Sequence, residues 1–374
     1  MKVPLVDLKI QHSLLKNEII KSIENIIDTS EFLRGSTLGV FEKDFAKFCG
    51  ANFCVGCSSG TTALELALRS LNLNHNDEVI TVSNTFTATA ESIVNVGLTP
   101  KFVDIDGNTF NMDVNKIESH ISQKTKVILP VHLYGQPSDM KPIMEIAEKH
   151  NLIVVEDCAQ AHGSEYDGKR VPISDVGCFS FYPAKNLGSF GDAGCIVTNN
   201  EKIASISTML LDHGRGKNKK YEYNVVGFNY RMSDIQAAVL NVKLKFLEDF
   251  NKKRIENAKL YNDLLAELKD SVVVPFVAEY SKHVFYVYTI MVRNKKRDDL
   301  AEFLKQNEIT TQIYYPIPLH LQPAYKNLGY KRGDFPVTEE VCQDILSMPM
   351  YPELTEEQIR FVVDKIKQFF NNQI

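Results

Sequence analysis

The sequence has no apolar run approaching the roughly 20 residues that a membrane-spanning helix requires, so no membrane association is expected. It has no excess of positive charge. Its 42 Lys and Arg face 47 Asp and Glu, and the formal charge of −5 argues against a general nucleic-acid surface. The stretch Met1-Lys2-Val3-Pro4-Leu5-Val6-Asp7-Leu8-Lys9 lacks the apolar core of a signal peptide. Seven cysteines are an odd number, scattered among apolar segments such as Phe53-Cys54-Val55-Gly56-Cys57. Cys54 and Cys57 make a C-x-x-C, but no other cysteine or histidine completes a metal-site spacing, so no metal is expected. Reduced, buried thiols in a cytoplasmic protein are the expectation. No G-x-G-x-x-G follows the first strand candidate, which argues against a dinucleotide-binding reading. Internal repeats and low-complexity linkers are also missing.

What is present is alternation. Short apolar runs at residues 52–57, 78–82, 101–104, 126–131, 152–156, 177–181 and 195–198 read as strands. Between them, residues 61–73, 88–96, 139–149 and 201–211 carry helical periodicity. Such alternation predicts an α/β fold with helices on both faces of a mostly parallel sheet, here with seven strand candidates. From residue 233 to about 268 the chain reads as one long, increasingly charged connecting helix. A β-rich piece at 283–292, a helix near 298–306, an extended segment at 311–318 and a terminal helix at 355–370 follow. They predict a smaller α+β domain, so the expected division is 1–248, with a short N-terminal arm, and 249–374.

Ligands of parallel sheets bind beyond the carboxyl ends of the strands. Three chemistry-bearing segments fall at such ends. Lys185 lies in Cys178-Phe179-Ser180-Phe181-Tyr182-Pro183-Ala184-Lys185-Asn186-Leu187-Gly188, before the turn Gly191-Asp192-Ala193-Gly194. A lysine among apolar strands and small-residue turns sits in a partly dry site, where desolvation lowers its pKa and makes a nucleophilic amine. Asp157 ends the apolar run Leu152-Ile153-Val154-Val155-Glu156. An acid so placed, with a Schiff-base lysine two elements later, suggests a pyridoxal phosphate (PLP) site in which it keeps the pyridine nitrogen protonated. A helix N-cap is the competing role for Asp157. Gln160 is within reach of the ring hydroxyl side, or is structural. In Cys57-Ser58-Ser59-Gly60-Thr61-Thr62, small residues before a helix cradle a phosphate or only cap the helix.

Four further segments stay open on local grounds. Phe86, in Asn84-Thr85-Phe86-Thr87, is either a stacking platform or core. Gly227-Phe228-Asn229-Tyr230-Arg231-Met232 offers Asn229 and Arg231 for polar contacts, or is a loop cap. Tyr314-Tyr315-Pro316-Ile317-Pro318-Leu319-His320 forms a rigid wall. His213-Gly214-Arg215-Gly216 precedes the polar run 217–220, read as a mobile loop; singly, a histidine such as His213 or His320 is more often structural than functional.

Together these motifs resemble the DegT/DnrJ/EryC1/StrS family of PLP-dependent nucleotide-sugar aminotransferases. The resemblance runs from Val3-Pro4-Leu5-Val6-Asp7-Leu8 to Leu346-Ser347-Met348-Pro349-Met350-Tyr351-Pro352. It implies fold type I, the aspartate-aminotransferase fold, and active sites at the interface of a homodimer. Lys185 then is the Schiff-base lysine and proton shuttle, Asp157 the partner of the pyridine nitrogen, Gln160 a ring-oxygen contact and Phe86 the stacking ring. Gly60, Thr61 and Ser180 hold the phosphate, together with Asn229 contributed across the dimer. His320, His213, Tyr315 and Arg231 are the candidate sugar-nucleotide contacts. The resemblance further implies L-glutamate as donor and a nucleoside-diphosphate ketosugar as acceptor. The N-terminal stretch and Val131-His132-Leu133-Tyr134-Gly135-Gln136-Pro137 look more like members acting on 3-keto than on 4-keto sugars. Related scaffolds act as dehydratases or cyclitol aminotransferases, and dehydratases replace the lysine with histidine. A PLP-fold protein kept only for binding or regulation is the reading from another class.

Overall fold

The computed structural model describes residues 1–216 and 221–371. The polar run at 217–220 lies outside the described residues. The chain opens with helix α1 (Leu8–Thr29), started by Asp7, whose side chain accepts the Lys9 N–H at 2.9 Å. Helix α2 (Ser36–Cys49) follows and stops at Gly50, in the left-handed conformation at φ 72°. Two helices thus stand where the sequence predicts only a short arm. Its pattern hides α1, because apolar residues lie all round it. Leu15, Ile19 and Ile26 are buried, whereas Leu14, Ile20 and Ile27 are exposed.

The sheet elements then alternate with helices: β1 (Phe53–Cys57), α3 (Gly60–Ser70), β2 (Glu78–Val82), α4 (Ala88–Asn95), β3 (Thr99–Val103), β4 (Thr125–Ile128), α5 (Met140–His150), β5 (Ile153–Val154), β6 (Glu156–Asp157), β7 (Val176–Ser180), β8 (Gly194–Thr198) and α6 (Glu201–Leu210). One half of the sheet runs β3-β2-β4-β5, all parallel. The other runs β6-β7-β8-β1, with β8 antiparallel to both of its neighbours. Only Val155 separates β5 from β6, and its N–H bonds Ile128 O (3.1 Å), so the halves meet there. The result is the largely parallel α/β sheet expected.

Successive residues of the strands feed different cores. Val55, Cys57, Cys178 and Ile196 pack into one cluster, and Cys54, Phe179, Cys195 and Val197 into another, as the two faces of a sheet covered on both sides require. All seven cysteines are buried and free.

The expected single helix after residue 233 is two: α7 (Asp234–Leu244) and α8 (Leu247–Leu265), broken at Phe246 (φ −108°, ψ 0°). Their surroundings differ. Helix α7 buries Ala237, Ala238, Val239, Leu240 and Val242, whereas α8 is largely charged and buries a narrow stripe, including Ala258, Tyr261 and Leu265. A third cluster joins that stripe to β9 (Tyr288–Val292), α9 (Arg297–Gln306), β10 (Ile345–Met348) and α10 (Glu356–Asn371). Val3 belongs to it and bridges Ile309, so the N-terminal segment is tied to this late core. Among the described residues, no helix is long and apolar enough to cross a membrane.

Candidate active site

The ends of β1, β6 and β7 converge. In β8, Gly194 lies opposite both Ser180 and Cys57, which brings the phosphate-cradle candidates against the lysine loop. The approach is close enough to demand glycine twice. A Cβ on Gly60 would stand 2.6 Å from Ser180 Cβ, and one on Gly194 would stand 2.3 Å from the Ser59 carbonyl. Ser59 caps α3: its hydroxyl accepts the Thr62 N–H (3.1 Å), and its carbonyl accepts that of Ala63 (3.0 Å). The amides of Gly60 and Thr61 are thus left as donors of the helix start, beside Ser180. Replacing Gly60 by alanine is expected to weaken PLP binding roughly ten- to a hundredfold, the effect of losing a hydrogen bond to a charged group. Equilibrium titration would measure it. Gly39→Ala, with nothing within 4 Å of the new Cβ, is the matched control.

Lys185 follows β7 in a turn closed by its own N–H to Tyr182 O (2.9 Å). The turn is fastened from outside by buried groups. Lys243 Nζ donates to Gly188 O (2.6 Å), and Asn186 Nδ2 donates to Asn251 Oδ1 (2.8 Å) and Val284 O (3.1 Å). Lys185 is half-buried; desolvation of its amine lowers the pKa to about 8, against the opposing pull of Asp157.

Asp157 is buried and accepts from Thr89 Oγ1 (2.8 Å) and the Ala159 N–H (3.1 Å). Burial raises its pKa, and these two bonds with the Lys185 and His132 charges only partly oppose the rise. Among the described residues its hydrogen bonds come from neutral donors, and a protonated pyridine nitrogen would give it a bonded cation. Gln160 is anchored by the Tyr134 N–H on its Oε1 (2.7 Å) and directs Nε2 to the Tyr315 hydroxyl (3.3 Å). Phe86 is 53% exposed, with its ring 5.8 Å from that of Tyr315. An apolar ring left open beside a buried acid suits a flat aromatic ligand. The residues present therefore fit PLP.

The remaining candidates fall differently. His320 is buried, with Nδ1 on Ser83 Oγ (2.7 Å) and Nε2 on Glu339 Oε1 (3.0 Å), so neither ring nitrogen is left for a ligand. It secures the wall that carries Tyr315. Arg231 bonds Asp212 Oδ1 and Asn229 Oδ1, both at 2.6 Å. Arg34 and Arg215 also face Asp212, lining a cleft of about 560 Å³ with more arginine than acid. Asn229 and His213 are exposed and neighbour this cleft: Asn229 bridges Asp212, and the His213 N–H bonds Phe228 O (2.7 Å). Tyr230 O accepts the Ser58 N–H (2.8 Å), which carries this strip alongside the cradle.

Sequence reasoning missed Thr89 and Tyr134. Thr89 sits three residues past Phe86 on α4, and helical spacing is the signal that would have found it. Tyr134 acts through its backbone, at φ 58°, and left no compositional trace. The fold also brings His132, Glu156 and Cys158 within 4.8 Å of one another, which no spacing rule anticipates. Both ring nitrogens of His132 are engaged, by Ser138 N–H (3.0 Å) and Glu156 Oε2 (2.7 Å).

The DegT/DnrJ/EryC1/StrS aminotransferase family model matches residues 13–367. A Geobacillus stearothermophilus protein named "Pleiotropic regulatory protein" is 43% identical, covering 100% of each chain. A UDP-N-acetyl-3-dehydro-alpha-D-glucosamine 3-aminotransferase of Acidithiobacillus ferrooxidans is 40% identical, over 98% of this chain and 97% of its own. Among solved structures, S. venezuelae DesV in complex with a ketimine intermediate superposes with a TM-score of 0.95 at 37% identity, covering 98% of each chain. NtdA from Bacillus subtilis, with bound cofactor PMP, gives 0.91 at 34%, over 98% of this chain and 85% of its own. The chain is a member of the DegT/DnrJ/EryC1/StrS aminotransferase family and a PLP-dependent aminotransferase of fold type I.

Proposed function

We propose that this enzyme moves the amino group of L-glutamate to the C3 keto group of a nucleoside-diphosphate-linked keto-deoxysugar. The observation that carries the reading is the placement of the Lys185 turn at the end of β7 beside a buried acid, Asp157, whose hydrogen bonds among the described residues come from neutral donors. Bound PLP supplies the electron sink for a carbanion at the donor's α-carbon. In this reading Asp157 holds the protonated ring nitrogen, the Gly60 and Thr61 amides with Ser180 bind the phosphate, and Phe86 stacks on the ring. Lys185 Nζ would then take the proton from the donor's α-carbon and pass it to the cofactor side, so that the amino group stays with the cofactor and 2-oxoglutarate leaves. A pKa of about 8 lies close enough to neutrality for both steps.

The site requires a second subunit in this reading. Leu14, Ile27, Leu33 and Val226 are exposed apolar residues near the N-terminal helices and the Asn229 strip, a surface suited to a second copy of the chain. Asn229 then completes the partner's phosphate site, and the arginine-lined cleft with His213 and Arg231 meets the partner's anionic substrate. In this reading residues 1–248 form the cofactor-bearing body, apart from the Val3 segment that joins the late core, and 249–374 the smaller one.

C3 rather than C4 is supported by the resemblance of the Val131–Pro137 stretch, whose Tyr134 holds Gln160 at the site, and by the name of the 40%-identical relative. The intact Lys185 and Asp157 favour transamination over the dehydratase and binding-only readings, the regulatory name of the 43% relative notwithstanding. Offering 3-keto and 4-keto nucleotide sugars to the glutamate-treated enzyme tests the position. The expected result is an aminosugar nucleotide, located by mass and NMR, from the 3-keto compounds. Turnover of 4-keto sugars alone would overturn the assignment.

A further inference from the structure

Tyr286 belongs to none of the sequence motifs, yet its ring lies against the reactive amine. Lys185 Nζ stands 4.2 Å from the centroid of the Tyr286 ring, over its face. A cation so placed is attracted by the ring quadrupole, and more strongly where water is scarce. The backbone that carries the ring is held on both sides. The Tyr286 N–H donates to Tyr134 O (2.9 Å), and Tyr134 in turn fixes Gln160. On the other side the buried Arg254 donates through Nη1 to Phe285 O (3.2 Å), Tyr286 O (3.3 Å) and Met350 O (3.1 Å). A fully buried arginine spent on three carbonyls around one aromatic residue is a costly arrangement unless that residue's position matters.

We propose that the face of Tyr286 is the docking platform of the Lys185 amine: it holds the ammonium form and so shifts the amine's release as a nucleophile to higher pH. The proposal rests on the assignment of Lys185 as the PLP lysine. Other groups face the same amine. Asp157 favours its charge, and His162, depressed to about 3 by burial and by the Lys185 charge, stays neutral across the working range. Tyr314, Tyr182 and Arg254 act on Tyr286 itself. Burial of the amine pulls against all the groups that favour the ammonium, so Tyr286 moderates a desolvation already present.

Capture of PLP reads this directly. Neutral Nζ adds to the PLP aldehyde carbon; a C=N bond forms, the C=O bond breaks, and the oxygen leaves as water, with no change of oxidation state. The rate therefore rises with pH as the ammonium deprotonates. Apoprotein would be mixed with PLP across a pH series, capture followed by visible absorbance, and the midpoint compared among variants. Tyr286→Phe keeps the face and should hold the wild-type midpoint. Tyr286→Leu should lower it by about one pH unit, the worth of a partly desolvated cation–π contact. Should the leucine variant fold poorly, 4-fluoro- and 3,5-difluorophenylalanine at position 286 keep the shape while draining the ring face. The midpoint should then fall stepwise with fluorine count. A midpoint that ignores fluorination, or a phenylalanine variant that behaves like leucine, overturns the platform. Wild-type protein that fails to capture PLP at any pH would instead remove the reading of Lys185 beneath it.

Discussion

Lys185→Ala is expected to abolish covalent capture of PLP and to slow the glutamate half-reaction by roughly three to four orders of magnitude, the scale of losing a positioned proton-transfer group. Binding itself should survive in weakened form, because Asp157 and the α3 amides do not depend on the lysine. The prediction is therefore a split: PLP still protects the variant against heat, yet borohydride no longer fixes cofactor to the chain. Lys185→Arg should match alanine, since a guanidinium keeps the charge but cannot lose a proton in this range. Stopped-flow absorbance with glutamate gives the rate, and mass spectrometry after reduction gives the attachment site. Wild-type turnover in the alanine variant, or cofactor fixed on another lysine, would contradict the assignment. Lys243 is the informative alternative, because burial depresses it to about 8 as well. Its Nζ, however, is committed to Gly188 O beneath the turn.

Asp157→Asn should produce opposite effects on the empty and the loaded protein. The folded protein holds the Asp157 proton to higher pH than the unfolded chain, since burial raises its pKa. Ionising it consequently costs stability as pH rises through the interval from the ordinary value to the raised one. The asparagine apoprotein should melt at or above the wild-type temperature at neutral pH. Its side chain has partners available: the Ala159 N–H for Oδ1, and a reversed Thr89 hydroxyl for Nδ2. With PLP the order inverts. Removing the charge opposite a buried pyridinium should cost roughly 3 kcal/mol or more, a hundredfold or greater in affinity. The thermal shift caused by PLP should grow with pH in wild type over the interval where Asp157 ionises, and be flat in the variant. A variant that binds PLP as tightly as wild type would show that Asp157 does not meet the ring nitrogen.

Thr89 and Tyr286 mark the limit of a sequence reading from one side. Both touch groups the motifs singled out, Asp157 and Lys185, but they do so from α4 and from the stretch before β9, far away in the chain. His320 marks it from the other. The family resemblance implies a sugar-nucleotide contact there, and only the positions of Ser83 and Glu339 show both nitrogens engaged. The break at Phe246 also escaped, because helical periodicity continues on either side of it and only the change from a buried to a charged helix gives it away.

The sequence by itself determined the alternation of strands and helices, the lysine in its turn, the acid at a strand end and the small-residue cradle. Each of these is written in local order: period, turn residues and chain neighbours. Tertiary structure alone decided that Gly194 brings Ser180 against the start of α3, that Asp157 is buried and bonded by neutral donors, and that a tyrosine ring lies under the Lys185 amine. These depend on strand order and on burial, which set distance and dielectric between residues remote in sequence, and neither quantity is carried by local pattern.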